Sequence, residues 1–327
     1  MPRYLQATTE RFPVAGSFTI SRGTRTHADV VTCTIHDGSF AGIGECVPYS
    51  RYGESIEGVV ADIEAMAERI AAGLTRQELQ QVMKPGAARN AVDCALWDLE
   101  AKMSGKSAAE HIFGQAAKPL VTAYTISLAD PETMAAKTAE NAARPLLKIK
   151  TGTTDDEASL RAVRAAAPEA HIIIDANEGW NDDNIEYYLK LAAELNIALI
   201  EQPLPADKDA ILARIDHPVP ICADESVHST KDLAGLRDRY DAINIKLDKT
   251  GGLTEALVMK AEGERLGFTI MVGCMLGTSL GMAPAVLAAQ DAAFSDLDGP
   301  LILMQDRQPG LVYEGSLVYP PRPELWG

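Results

Sequence analysis

From about residue 119 onward, short apolar runs alternate with longer stretches in which apolar residues recur every three or four positions. The runs are Val121–Ile126, Leu146–Lys150, His171–Asp175, Ala198–Glu201, Ile221–Asp224, Ile243–Lys246 and Thr269–Gly273. Helical patterns such as Glu157–Ala166, Asn184–Leu195 and Leu253–Leu266 lie between them. Strand-length runs that alternate with amphipathic helices predict parallel βαβ units. A charged residue ends five successive runs, at Lys150, Asp175, Glu201, Asp224 and Lys246, with intervals of 25, 26, 23 and 22 residues. Each interval is about one strand, one loop and one helix. That regularity predicts a (β/α) barrel rather than an open doubly wound sheet, with the five charges at the C-terminal rim where barrels place their chemistry.

Residues 1–118 do not repeat in this way. Ala28–His36 reads as a strand, His36-Asp37-Gly38 as a turn and Phe40–Cys46 as the hairpin partner. Gly58–Ala72, with Val59, Ile63, Met66 and Ile70, and Ala87–Met103, with Ala91, Cys94, Ala95, Trp97 and Leu99, read as helices, the second stopped by Gly105. This is an α+β unit suited to act as a lid, with the barrel occupying 119–309. The proline-rich tail, 310–327, contains a strand-like piece at Gly315–Tyr319 and is expected to return to the N-terminal unit and complete it. Phe268–Gln290 carries no charge and is long enough to span a bilayer. Gly273, Gly277, Gly281 and Pro284 interrupt it, so a buried strand, a loop and a buried helix are expected there instead.

Hydrophobic residues make up 46% of the 327 positions and there is no low-complexity tract, so the whole chain is expected to fold. A formal charge of −16 argues against nucleic acid and anionic membranes as partners. The five cysteines are scattered and odd in number, which reads as buried thiols rather than a disulfide frame. The first ten residues lack the apolar core of a signal peptide, so a cytoplasmic location is expected.

Strand alternation turns Lys148 and Lys150 to one face and Leu147, Ile149 and Thr151 to the other. Two ammonium groups on one buried face require facing negative charge. Asp175, Glu201 and Asp224, at the ends of three consecutive strands, would converge and repel unless a cation sat among them. Hard oxygen ligands favour Mg²⁺ or Mn²⁺ over zinc. Acids at these positions could also face solvent or cap the following helices. Lys150 lies one strand before the acids and Lys246 one strand after, so a carbon acid held between them could lose a proton to one side and regain it from the other. For that a lysine must be partly neutral, against an ordinary pKa of about 10.4; burial, a second lysine and a metal ion all act in that direction. Lys148 and the cation would steady the anion that forms. Lys246 could equally be a structural ion pair with Asp224 or Glu225. Asp296 and Asp298, alternating near the last strand, suit a free amine or are solvated loop acids. None of the six histidines ends a barrel strand; His228 comes near and reads as loop filler.

Lys148-Ile149-Lys150, Asp175-Ala176-Asn177, Glu201-Gln202-Pro203, Asp224-Glu225-Ser226 and Asn244-Ile245-Lys246 resemble the enolase superfamily, muconate-lactonizing subgroup, in order and spacing. Arg51–Ser55, Gly86–Ala91, Ile245–Gly252 and Gly273–Met275 are similar to its dipeptide epimerases acting on L-Ala-D/L-Glu. The resemblance covers nearly the whole chain. It implies an α/β fold, a (β/α)7β TIM-like barrel with an N-terminal α+β capping domain. It also implies Mg²⁺ (or Mn²⁺ in its place), one per subunit, on Asp175, Glu201 and Asp224, with Lys150 and Lys246 as the two bases and Lys148 as the electrostatic partner. Asp296 and Asp298 would hold the substrate ammonium and Thr125 its carboxylate. Arg22, or the neighbouring Arg25, would meet an acidic side chain, with Arg22 the better match. The implied reaction is epimerisation of L-Ala-D-Glu and L-Ala-L-Glu at the glutamyl α-carbon in murein peptide recycling, in a protein compatible with a homo-oligomer. A cycloisomerase or an o-succinylbenzoate synthase would use the same lysines and metal but leave Asp296 and Asp298 without a task. A Schiff-base aldolase with Lys246 as nucleophile and a metal-stabilised binding protein are the other readings.

Overall fold

The expected Ala28–Cys46 hairpin forms, and a long third strand joins it. β1 (Tyr4–Ile20), β2 (Gly23–Asp37) and β3 (Phe40–Cys46) make an antiparallel sheet in that order in the computed structural model, which describes residues 3–153 and 156–327. β1 escapes a pattern-based reading because its apolar and polar residues follow no regular alternation and only Val14 is buried, with others such as Leu5 and Ala7 meeting a core in part. The helix expected over Gly58–Ala72 is divided into Ile56–Glu64 and Ala67–Ala71. The 18-residue helix Ala87–Ser104 lies against β3. Two glycines permit that approach: a Cβ on Gly42 or Gly44 would fall 2.1 or 2.2 Å from the carbonyl oxygens of Ala95 and Ala91.

The run Val121–Ile126 divides too, because β4 (Leu120–Val121) leaves for another sheet and only β5 (Tyr124–Ile126) enters the barrel. The barrel continues through β6 (Leu146–Lys150), β7 (His171–Asp175), β8 (Leu199–Glu201), β9 (Ile221–Ala223), β10 (Ala242–Ile245), β11 (Thr269–Gly273) and β12 (Phe294–Asp296). These eight strands are parallel and paired in chain order. The Ala123 N–H donates to the Ser295 carbonyl (2.8 Å) and brings the first and last together. Ala123, Leu146, Ile173, Leu199, Cys222, Ala242 and Met271, with Phe294 against them, form a separate inner layer, one side chain from each strand or its approach. The alternate residues, among them Leu147, Ile149, Ile172, Ile174, Ile200 and Ile243, pack in the larger outer core. Burial on both faces is why these strands read as continuous apolar runs.

Not every interval holds an α-helix. The links after β8 and β9 carry only 3₁₀ segments, Ala210–Arg214 and Thr230–Gly235. Prolines 203, 205, 218 and 220 bracket the first link and remove backbone donors. The uncharged stretch becomes β11, a loop and the helix Ser279–Ala288, which contains Pro284. Among the described residues no helix is long and apolar enough to cross a membrane, and all five cysteines are free.

β13 (Tyr313–Glu314) pairs with β14 (Leu317–Val318), which pairs in turn with β4. The tail then reaches the capping unit, where the Trp326 indole N–H donates to the Cys94 carbonyl (3.0 Å) and Ala108 N–H donates to the Gly327 carbonyl (2.9 Å). Arg307 spans both units, pairing with Glu10 (2.7 Å) and with the fully buried Glu45 (2.8 Å).

Candidate active site

Two residues beyond each member of the inner layer, the same inward face presents Thr125, Lys148, Asp175, Glu201, Asp224, Asn244, Gly273 and Asp296. One further step along the face gives Lys150, Lys246 and Asp298. The apolar floor therefore ends in a ring of polar side chains at the C-terminal rim. Gly273 belongs there because a Cβ would meet the Asn244 side chain at 2.7 Å. A cavity of about 80 Å³ opens above the ring. Thr125, Lys148, Lys150, Lys246, Asp296 and Asp298 line it from the barrel, while Phe18, Ile20, Arg25, Tyr49 and Tyr52 close it from the capping unit. β6 and β10 are four places apart in an eight-stranded cylinder, so Lys150 and Lys246 approach from opposite sides.

The ring is dense in charge. Lys148 Nζ lies 2.6 Å from Glu201 Oε2, 2.8 Å from Asp296 Oδ2 and 3.1 Å from Asp175 Oδ2. Lys150 Nζ is 2.6 Å from Asp175 Oδ2, and Lys246 Nζ is 2.6 Å from Asp224 Oδ2. The ion pair between Lys246 and Asp224 thus exists, and both groups also face the cavity. Burial alone would lower the pKa of Lys246, but Asp224 and then Glu201 hold it well above the ordinary lysine range. Lys148 is raised in the same way against its burial, by Asp175, Asp296 and Glu201. The expectation of a partly neutral lysine at 246 is therefore reversed in the protein by itself, because direct carboxylate contacts outweigh burial and the second lysine.

Six buried carboxylates (Asp175, Glu201, Asp224, Glu225, Asp296 and Asp298) face four buried ammonium groups (Lys148, Lys150, Lys246 and Lys249). Even with Arg22 on Glu225, the acids are in excess. Burial, and then Asp175, push Glu201 up to about 7. Its Oε2, although near Lys148, makes no directed hydrogen bond. Among the described residues no three acidic, histidine or cysteine side chains already form a metal shell, since lysine ammonium groups stand between the acids. In donor chemistry, excess charge and burial, Asp175, Glu201 and Asp224 fit a hard divalent cation.

Asp298 is buried, accepts the Thr125 N–H (2.6 Å) and is pushed up to about 7 by burial and by Asp296. Thr125 is thus engaged with Asp298. Arg22 is also engaged: it meets Glu225 (2.6 Å), the Asn177 carbonyl (2.8 Å), Tyr49 (3.1 Å) and Glu178 (3.2 Å). Arg25 reaches the cavity with its guanidinium 5.1 Å from the centre of the Tyr49 ring. His228 lies under Tyr52, ring to ring at 4.5 Å, with Nε2 near the Glu225 carbonyl.

Two further side chains, Asn244 and Gln202, complete the site. Asn244 donates to Glu201 Oε1 (2.7 Å), and Gln202 Oε1 accepts the Asp224 N–H (2.8 Å). The period-two register that carries the strand acids also carries Asn244, so it could have been found from its neighbours. Gln202 could not, because it depends on a backbone reversal. Asn177, Glu178 and Gln202 adopt φ of +46°, +66° and +35° just beyond the strand-end acids. Such conformations persist only where surrounding contacts impose them, and they cluster at functional sites.

Residues 4–112 match the mandelate racemase/muconate lactonizing enzyme N-terminal domain, and residues 133–313 the enolase C-terminal domain-like family. The chain is 44% identical to L-Ala-D/L-Glu epimerase of Escherichia coli (strain K12), over 93% of this chain and 95% of that one. It is 41% identical to an N-acetyl-D-glutamate racemase of a Pseudoalteromonas species, over 91% and 95% of the two chains. A crystal structure of an enolase family member from Agrobacterium tumefaciens with homology to dipeptide epimerases, containing bound sodium and L-Ala-L-Glu, is 89% identical. It covers 100% of both chains with a TM-score of 0.99. With both domain families matched, the chain belongs to the enolase superfamily and is an isomerase of its epimerase and racemase type.

Proposed function

We propose that this isomerase interconverts L-Ala-D-Glu and L-Ala-L-Glu by a two-base 1,1-proton transfer at the glutamyl α-carbon, serving murein peptide recycling in the cytoplasm. The observation that carries this reading is Asp298, a buried carboxylate with no ion pair among the described residues, beside a cavity flanked by two opposed lysines. A substrate ammonium would supply the missing charge. The dipeptide's free amine then sits at Asp296 and Asp298, its C-terminal carboxylate lies toward Lys148, and the α-carbon is placed between Lys150 and Lys246.

In one direction Lys150, as the neutral amine, takes the α-proton while the Lys246 ammonium delivers a proton to the opposite face; the reverse direction exchanges their roles. Lys148 steadies the charge that develops on the carboxylate oxygens. Asp175, Glu201 and Asp224 would hold one Mg²⁺ per subunit, which supplies further positive charge to that carboxylate. Each base must part from its carboxylate, Asp175 or Asp224, to accept a proton. In D₂O, both epimers should acquire deuterium at the glutamyl α-carbon, and chelation with EDTA should suppress this. Failure to incorporate deuterium into either epimer would falsify the two-base reading. N-acetyl-D-glutamate, the compound named for the Pseudoalteromonas relative, lacks the ammonium and should be turned over poorly.

The side-chain carboxylate is assigned to Arg25 in preference to Arg22. Arg22 already meets Glu225 and Glu178, so using it would expose buried acids, whereas Arg25 makes no ion pair among the described residues. Arg25→Met should lower kcat/KM for the glutamyl dipeptides about 10- to 100-fold, the worth of a charged hydrogen bond of about 1.5–3 kcal/mol. L-Ala-Gln should be little affected. Parallel kinetics on Arg22→Met check the assignment, because a loss selective for glutamate in that variant would restore Arg22 as the reader.

A further inference from the structure

The proposed reaction gives no task to Gly86–Ala91 or to Leu247–Gly252, the part of the Ile245–Gly252 motif beyond Lys246, and the fold brings the two together. Lys246 begins a single helical turn, Leu247–Thr250, that ends on Gly251 and Gly252 at φ of +77° and +113°. A side chain on either glycine would collide with the capping helix, since a Cβ would stand 2.5 Å from Arg89 Nε or from Asp93 Cβ. Through that close approach Arg89 donates to the carbonyls of Thr250 (2.6 Å) and Gly251 (3.1 Å). Asn90 donates to Asp248 Oδ1 (2.9 Å), which also accepts the Val47 N–H (3.0 Å). The turn that follows Lys246 is therefore held by the lid, on its side away from the cavity.

Inside this turn lies Lys249, 2% exposed and absent from the cavity lining. Its ammonium donates to the Asp224 carbonyl (2.6 Å), the Asn244 carbonyl (3.0 Å) and Asp224 Oδ1. All three acceptors lie at the ends of β9 and β10. Asp224 is thereby gripped on both oxygens, by Lys249 on Oδ1 and by Lys246 on Oδ2. Across the barrel Asp175 has no such brace; its Oδ1 accepts the Asn177 N–H, while Lys148 and Lys150 share Oδ2. The two bases are mounted differently.

We propose that Lys249 is a positioning residue for one base only: it locks the β9 and β10 ends and the Asp224 carboxylate so that Lys246 is aimed at the α-carbon, with Arg89 and Asn90 of the lid holding the turn in place. The inference rests on the two-base reading. Lys249 transfers no proton and touches no substrate; misplacing a reacting group by about 1 Å costs on the order of 100-fold.

The test follows α-deuterium incorporation separately from L-Ala-L-Glu and L-Ala-D-Glu in wild type, Lys249→Met and Asn90→Ala, and measures Mn²⁺ binding by electron paramagnetic resonance. Lys249→Met should slow exchange from one epimer about 10- to 100-fold through kcat, leaving KM, the other epimer and Mn²⁺ affinity little changed. Lys249→Arg should recover part of the loss. Asn90→Ala should slow the same epimer to a smaller degree, and it carries the test if Lys249→Met does not fold. Equal losses from both epimers, with or without weaker Mn²⁺ binding, or no loss from either, would overturn the proposal. If the wild type exchanges neither epimer, the two-base reading has failed and this inference falls with it; normal wild-type exchange with unselective variants sinks the inference alone.

Discussion

Lys150→Ala and Lys246→Ala should each abolish interconversion of the two epimers yet spare deuterium exchange from one of them, a different one in each variant. A lysine serving as general base contributes about 10²–10⁴-fold, and interconversion needs both, so its loss should be at least that large. Exchange needs only the lysine on the face that bears the proton, and these lysines stand four strands apart around the barrel. Lys148→Ala should slow both epimers alike, because Lys148 lies between the faces, against Asp175, Glu201 and Asp296. Following the α-proton of each epimer by NMR in D₂O separates these outcomes. Equal loss from both epimers in all three variants would remove the division of labour between Lys148 and Lys150.

Asp298→Asn should reduce kcat/KM for both glutamyl dipeptides by about 30-fold or more, since truncating one partner of a buried charge pair costs about 2–5 kcal/mol. Asparagine keeps an oxygen for the Thr125 N–H, so the change removes charge while retaining the contact seen in the fold. The free protein should respond in the opposite sense. Burial and Asp296 raise the Asp298 carboxyl from 3.8 to about 7. The folded state then holds a proton that the unfolded state has released, and stability from this group, present below the ordinary value, is lost as pH rises through the folded one. Denaturation midpoints of Asp298→Asn should therefore gain on wild type as pH rises from 4 towards 7. A variant that keeps full activity on L-Ala-Glu would remove the amine-binding role, and one whose stability tracks wild type at every pH would remove the charge argument.

The barrel was legible because its strands are apolar on both faces and recur with a nearly constant interval. That reading places β6, β7 and β11 at their observed bounds, and the same alternation brings Lys148, Lys150, Asp175, Glu201, Asp224 and Lys246 to one rim. The reading was weaker where one face of a strand is solvated, as in β1, or where a link carries prolines, as after β8. Arg22 shows a different gap. It sits on the turn between β1 and β2, and its engagement with Glu225 depends on how that turn meets loops some two hundred residues away.

Local sequence thus determined most of the barrel strands, which side of them is charged, and that lysines and acids share one end of the barrel, because these follow from a two-residue repeat and short-range hydrophobic burial. Tertiary structure alone decided how the charges are apportioned. It gives Asp175 and Asp224 to the lysines and, among the described residues, leaves Asp298 and Arg25 without an ion pair; it spends Arg22 on Glu225; and it inserts Lys249 behind Asp224 under the grip of the capping helix. Those choices are set by distances of a few ångströms between segments far apart in the chain, and electrostatic interaction in a buried site varies steeply over such distances.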